Sequence, residues 1–372
     1  MTQRNPFRPS FGVSPLYLAG REESLQDFRL GLAEGLGSPY RALLVSGARG
    51  IGKTVFLNEV EDVATQAGWV VARAYPDAHL VDTLVDSTIP KIMKSLGETG
   101  SKHSFTGASI AGIGSISTSV QAAEQPAPTL ISRLRELATF VRKYEAGVLV
   151  TVDEVQSADP ELMHQLATAV QDLIRDEFDI AFVAAGLPLG IQQLLQHDGT
   201  TFLRRAERVE LAPVTIPEAR QAIVHTVHEG GKSITDDAAD AAAELSQGYP
   251  YLIQLVGSVI WTYATLEHRD EITLSDVREA RPQVIRRMGA QVHRPAIANA
   301  PDSQVAMLKT MATLMDGDNP VSTGELAKAL GVKPNAISVR RAHLLARELI
   351  VSPRYGHIAF TLPYMKEFLL ST

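Results

Sequence analysis

The run Gly47-Ala48-Arg49-Gly50-Ile51-Gly52-Lys53-Thr54 satisfies the pattern G-x-x-x-x-G-K-[ST], and the apolar stretch from Tyr40 to Ser46 sets it where a strand turns into a helix. Backbone N–H groups of such a turn, at the positive end of a helix beginning near Lys53, form a concave donor site that fits a β-phosphate. Glycines keep side chains from obstructing that approach. Lys53 neutralises charge shared by the β- and γ-phosphates, and the Thr54 hydroxyl takes one position on an octahedral Mg²⁺. The alternative is a chance match in a glycine-containing loop, against which the strand before and the helix after both argue. The expected nucleoside triphosphate cradle is therefore Gly47, Ala48, Arg49, Gly50, Ile51, Gly52, Lys53 and Thr54.

A second run strengthens the reading. Gly147 to Val152 is rich in β-branched apolar residues, as a buried parallel strand is, and it ends in Asp153-Glu154. In an open α/β sheet ligands bind at the strands' C-terminal edge, so Asp153 is placed to hold the metal and Glu154 to orient and deprotonate an attacking water. The competing reading is an acidic loop start that only caps the next helix.

Composition allows this. The chain has 372 residues with 45% apolar content, enough for two or three domains with cores of their own. Formal charge is −7, but the last 72 residues carry eight Lys/Arg against six Asp/Glu, leaving −9 on the other 300. That slight C-terminal excess supports nucleic-acid contact only weakly. Cysteine is absent, which excludes disulfides and thiolate metal sites and fits a reducing compartment. Met1 to Gly12 lacks an apolar signal core, and the longest apolar stretch, Ile180 to Ile191, contains Gly and Pro and is too short to span a bilayer, so a soluble cytoplasmic protein is expected. His164, His225 and His228 lack metal-ligand spacing, and Trp69 and Trp261 read as core residues.

Strand and helix signals alternate from Tyr40 to about Val214, predicting a parallel sheet covered on both faces. Strands are expected at 41–46, 69–74, 148–153, 180–185 and 208–211, and helices at 54–66, 82–96, 130–144, 160–176 and 217–228. The Gly- and Ser-rich segment 97–128 reads as a projecting hairpin or as a disordered insert. From Ile216 helices take over, at 236–247, 249–267 and 274–288, followed by a Pro- and Ala-containing linker, 293–301. Beyond it come helices at 303–315, 323–330 and 334–349 and two short strands, 350–352 and 357–362, together a winged helix-turn-helix. The expected fold class is thus α/β, a P-loop NTPase parallel sheet followed by an all-helical lid and a winged helix, with domains at 1–214, 215–297 and 298–372.

These motifs in this order resemble the AAA+ ATPases, more narrowly their origin-recognition-like and STAND-type members: Gly20-Arg21-Glu22, the loop at Gly47 to Thr54, Asp153-Glu154, an Arg-rich turn before the last strand, Gly248-Tyr249-Pro250 and the terminal winged helix. The resemblance implies ATP or ADP with Mg²⁺ as ligands, Arg21 near the adenine, Pro250 in a nucleotide-contacting lid, and Arg204 or Arg205 as an arginine finger toward a neighbouring subunit. Arg21 also reads as a solvated helix start paired with Glu23, and the twin arginines as ordinary partners of a helix's negative end. Two departures point to slow hydrolysis and a switch more than a motor. The strand at 180–185 ends in Ala185-Gly186 without a polar residue to help position water, and the lid carries Gly248-Tyr249-Pro250 where many relatives have an arginine. The competing class is a non-hydrolysing regulatory switch opened by a protein partner.

On a helical wheel Ile337, Leu344 and Leu345 form the buried stripe of the last helix, with Arg340 and Arg341 on its flanks and Asn335, Val339, Ala342 and Ala346 outward. That face is poor for reading bases, whereas Ser338, Arg347, Arg354, Tyr355 and His357 are candidates for double-stranded DNA phosphates. A protein-docking or autoinhibitory winged helix is the alternative.

Overall fold

Short runs, most of them rich in valine, leucine and alanine, assemble into one five-stranded sheet. In the computed structural model, which describes residues 4–10, 12–99 and 127–371, the strands are β1 (Ala42–Gly47), β2 (Val70–Ala74), β3 (Val148–Val152), β4 (Ile180–Gly186) and β5 (Glu207–Leu211). Their order is β2-β3-β4-β1-β5, and every pairing is parallel. β3 and β4 are buried along their whole length, which is why their sequences run apolar without alternation. The hairpin or insert expected in 97–128 lies, except for its ends, outside the described residues.

The chain divides into two units, 21–47 with 53–211, and 1–20 with 48–52 and 212–372. The first holds the sheet and helices α1 (Glu22–Glu34), α2 (Lys53–Gln66), α3 (Leu80–Thr83), α4 (Ile89–Thr99), α5 (Leu130–Arg142), α6 (Pro160–Arg175) and α7 (Pro188–Gln196). Leu134, Leu137 and Val141 of α5 and Leu166, Val170 and Leu173 of α6 join Val148, Val150 and Phe182 in one buried cluster. At the opposite end of β1 from the glycine loop, Arg41 is buried but fully used. Its guanidinium donates to the Gly31 and Leu32 carbonyls at 2.8 and 3.0 Å and to Asp179 at 2.8 Å, and it lies over the Trp69 ring.

One expectation for this unit changes, and one helix is added to those expected. The single helix expected over 82–96 is broken by a π-turn at Leu84–Thr88, because Pro90 has no N–H and its ring displaces the carbonyl four residues back. The stretch after β4 continues as a helix, α7, with Pro188 in its first turn.

In the second unit α8 (Ile216–Glu229), α9 (Asp236–Ser246), α10 (Pro250–Leu266) and α11 (Leu274–Met288) form a helical group, laced by the two-residue parallel pair β6 (Ser233–Ile234) and β7 (Glu271–Ile272). Capping boxes start α8, from Thr215 to Glu218, and α11, from Thr273 to Asp276. The expected linker 293–301 is partly helical, as α12 (Arg294–Ile297), because Pro295 sits in a first turn, where its missing N–H costs nothing. Then follow α13 (Asp302–Leu314), β8 (Val321–Ser322), α14 (Thr323–Ala329), α15 (Pro334–Ala346), β9 (Ile350–Val351), β10 (His357–Phe360) and α16 (Met365–Ser371), with β10 antiparallel to both β8 and β9. Tyr364 Oη donates to the Leu245 carbonyl at 2.6 Å, tying this terminal segment to α9. No described helix is long and apolar enough to cross a membrane.

His293 is fully buried beside the Phe368 ring. Burial pushes its pKa down to about 4, against a smaller opposing pull from the Pro363 carbonyl. A histidine kept neutral in the fold must be protonated on unfolding below its ordinary value, so its contribution is intact above about pH 6.5 and is lost as pH falls toward 4, a change of roughly 3 kcal/mol. Urea denaturation at pH 7 and pH 4.5 should show this acid loss in the wild type and a smaller one in His293→Leu; equal losses would contradict it.

Candidate functional site

β1 ends at Gly47 and α2 begins at Lys53, so the glycine run is the connection between a buried strand and the first turn of a helix. Gly50 and Gly52 have φ of +74° and +96°, backbone that side-chain-bearing residues rarely adopt. Ile51 N–H closes the turn onto the Ala48 carbonyl at 3.3 Å, and Arg49 is exposed. Lys53 is 5% exposed, and its Nζ donates to the Gly47 carbonyl at 2.9 Å. The ammonium is thus held, buried, on a carbonyl at the start of its own loop.

Thr54 Oγ1 donates to Asp153 Oδ2 at 2.6 Å. This bond joins the first turn of α2 to the C-terminal end of β3 and brings together two hard oxygen donors, the ligand type Mg²⁺ takes. Among the described residues no cluster of three or more His, Cys, Asp or Glu is placed to hold a metal; a Mg²⁺ site needs none, since phosphates and waters complete its octahedron. The other Asp153 oxygen accepts the Glu154 N–H at 2.8 Å, and Glu154, exposed, has left-handed backbone with φ 52°. Gln156 Nε2 donates to Glu154 Oε2, and Gln156 Oε1 accepts the Leu187 N–H at 3.0 Å.

Behind this edge Glu61 of α2, 4% exposed, accepts from Thr151 Oγ1 and Arg73 Nε, each at 2.7 Å. This buried carboxylate pins α2 to β2 and β3, and so fixes the helix that carries Lys53 and Thr54.

Pro250 opens α10, and a Cβ at Gly52 would lie 3.9 Å from it. Tyr249 is closer still: a Cβ at Gly50 would come within 2.8 Å of its hydroxyl. That hydroxyl is buried with no hydrogen-bond partner among the described residues, and burial, with the Glu348 carboxylate adding to it, drives its pKa upward. Removing an unpaired buried hydroxyl removes no bond, so Tyr249→Phe should leave stability unchanged or raise it by up to about 1 kcal/mol in urea titration. A loss larger than that would show a bond at this oxygen.

The remaining predicted residues stand apart. Arg21 precedes α1, and its N–H donates to Glu22 Oε2 at 2.9 Å. Arg204 and Arg205 end the turn Asp198–Arg205 before β5; Arg204 Nε donates to the Leu195 carbonyl at 3.0 Å, and Arg205 is exposed. Arg347, expected as a phosphate contact, instead donates to the Asn299 and Ala296 carbonyls at 2.8 and 3.1 Å. Val339 is 64% exposed, as the wheel requires, and Tyr355, beyond the helix, is fully exposed, while Leu345 is only half-buried beside the fully buried Ile337 and Leu344. Sequence reasoning missed Tyr249 as a neighbour of the loop, and it missed Gln156, whose place two residues after an acidic pair is the only signal the sequence offers.

Residues 17–183 match the AAA ATPase domain family. The AAA match contains the glycine loop, Lys53, Thr54, Asp153, Glu154 and Gln156. Residues 290–369 match a second family, a domain of unknown function. No curated protein sequence matches the chain. Among solved structures, a Walker-type ATPase of Pyrococcus abyssi superposes with TM-score 0.68 at 14% identity, over 95% of this chain and 96% of that one. The ORC2 protein of Aeropyrum pernix superposes with TM-score 0.64 at 17% identity, over 98% and 96%. At such identities the likeness establishes the fold: an α/β architecture of the P-loop NTPase type around five parallel strands.

Proposed function

We propose that this protein binds ATP with Mg²⁺, hydrolyses it slowly, and acts in the cytoplasm as a nucleotide-controlled switch linked to DNA. The observation that carries the reading is the 2.6 Å bond between Thr54 and Asp153 beside a glycine loop of left-handed backbone. The resemblance to AAA+ proteins and the AAA match over 17–183 support ATP as the ligand, as does the fold shared with the Aeropyrum ORC2 protein, solved in ADPNP–ADP complexes.

In this reading the amides of Gly47 to Gly52 and the Lys53 ammonium receive the phosphates, and Thr54 and Asp153 hold the metal. Bound Mg²⁺ supplies neutralisation of the charge that grows on the phosphate oxygens. Glu154 takes a proton from the water whose oxygen bonds to the γ-phosphorus as the bond to the β–γ bridging oxygen breaks, releasing ADP and phosphate. Pro250 faces the nucleotide from the lid, Arg21 borders the adenine, and Arg205, or Arg204 through its uncommitted guanidinium nitrogens, reaches the γ-phosphate of a neighbouring copy. The elements from α13 to β10 form a winged helix, in which Arg340, Arg354 and His357 meet duplex phosphates.

A second reading has one observation in its favour. The outward face of α15 is apolar and small, with Val339 64% exposed, and Arg347 is committed internally, so this surface also fits a protein partner of a non-hydrolysing switch. ATP turnover with and without duplex DNA, followed by sizing in ATP and ADP, separates the two. Turnover that responds to DNA supports the first reading; retained nucleotide with no turnover under either condition supports the second. A monomer in both nucleotide states counts against an arginine acting in trans.

A further inference from the structure

Glu154 has little to fix its carboxylate. It is exposed, sits on left-handed backbone at the end of β3, and is followed by a single helical turn, Val155–Ser157. An exposed glutamate samples several rotamers, and each loose torsion lowers the fraction of time its oxygen is in reach of an attacking water. β4, the adjacent strand, ends in Ala185 and Gly186 and sends no polar side chain toward that edge.

Gln156 supplies what β4 lacks. Its Nε2 holds Glu154 Oε2, while its Oε1 is anchored by the Leu187 N–H at 3.0 Å. The two ends of an amide are chemically distinct, so only one orientation satisfies a carboxylate at one end and an N–H donor at the other. The side chain lies in a slot that two glycines leave open. A Cβ at Gly186 would come within 2.8 Å of Gln156 Oε1, and one at Gly190 within 2.6 Å of Gln156 Cβ.

We propose that Gln156 is a positioning residue for hydrolysis: an amide anchored on the end of β4 that grips one oxygen of the Glu154 carboxylate and leaves the other to receive the proton from water. The inference rests on Glu154 being the base, as proposed above. Gln156 touches neither phosphate nor metal in this scheme, so its loss acts on kcat and leaves nucleotide affinity alone.

Gln156→Glu tests this with a side chain of the same shape. It keeps an acceptor for Leu187 and fills the slot, but sets a carboxylate against Glu154. The expected result is a fall in kcat of about tenfold or more, with ATP Kd within about twofold of wild type and an unchanged urea midpoint. Gln156→Asn, one methylene too short to span both partners, should lose kcat similarly. In a Glu154→Asp background, whose carboxylate no longer reaches Gln156, the Gln156→Glu change should alter kcat by less than about twofold. If Glu154→Gln stops turnover but Gln156→Glu keeps wild-type kcat, the positioning role is wrong while the base assignment stands. A matching loss of affinity and of fold stability in Gln156→Glu would show a packing role and overturn the proposal. If Glu154→Gln keeps full turnover, or the wild type has none, the base assignment fails and the positioning role fails with it.

Discussion

Lys53→Ala is expected to abolish nucleotide binding at working concentrations, weakening ATP affinity by at least about a hundredfold, near 2.7 kcal/mol. Lys53 is 5% exposed and its ammonium is already held on the Gly47 carbonyl, so no long search through rotamers precedes its contact with phosphate. Removing it leaves only the loop's amides and the metal as counterweight to a triphosphate. The fold should tolerate the change, because alanine is a good helix former at the first position of α2 and the Thr54–Asp153 bond does not depend on the lysine. Calorimetric titration with MgATP reads the loss directly. An affinity within about threefold of wild type would mean that Lys53 does not face the phosphates.

Glu154→Gln is expected to do the reverse, keeping ATP affinity within about twofold while lowering kcat by roughly 10²- to 10⁴-fold. The substitution preserves length, and the new amide oxygen still accepts from Gln156, but a neutral amide cannot take the proton of an attacking water. Asp153, whose oxygens are engaged by Thr54 and by the Glu154 N–H, is poorly placed to substitute. Single-turnover hydrolysis of bound ATP measures the effect. Hydrolysis retained in this variant would remove the base assignment and leave Glu154 as no more than an acidic loop residue.

How far the sequence carries these conclusions differs from element to element. β3 and β4 are legible because strands buried on both faces run continuously apolar, β3 ending where Asp153 reaches the sheet edge and β4 at Gly186. The turn from β1 into α2 is legible because left-handed backbone at Gly50 and Gly52 demands glycine. α7 is not among the expected helices, since its first turn carries both Pro188 and Gly190, although Pro188 in fact opens a helix. The periodicity predicts a helix to Leu349, although α15 stops at Ala346; the left-handed residue there is Glu348, with φ 55°, where glycine is the usual signal. Strands of two residues such as β6, β7 and β8 are too short to leave a period.

Within the candidate site the same division holds. Residues whose proposed role follows from local chain geometry, Lys53 and Thr54 after the loop and Asp153 at the strand end, announce themselves by spacing. Residues whose role depends on a neighbour far along the chain do not. The role proposed for Gln156 depends on Leu187 and on the room at Gly186 and Gly190, and the place of Tyr249 beside the loop shows only through Gly50. Arg347 shows the converse error. Its charge near the end of the last helix suggests a phosphate contact, but sequence cannot register the carbonyls of Ala296 and Asn299 to which its guanidinium donates.

The most direct measurement of the central claim is isothermal titration of the wild-type chain with ATP, in the presence of magnesium and again with the metal chelated. The account predicts saturable binding of an adenine nucleotide that tightens when Mg²⁺ is present, since Thr54 and Asp153 lie together to hold it. No heat from adenine or guanine nucleotides at concentrations on the order of millimolar, with the protein folded, would contradict it.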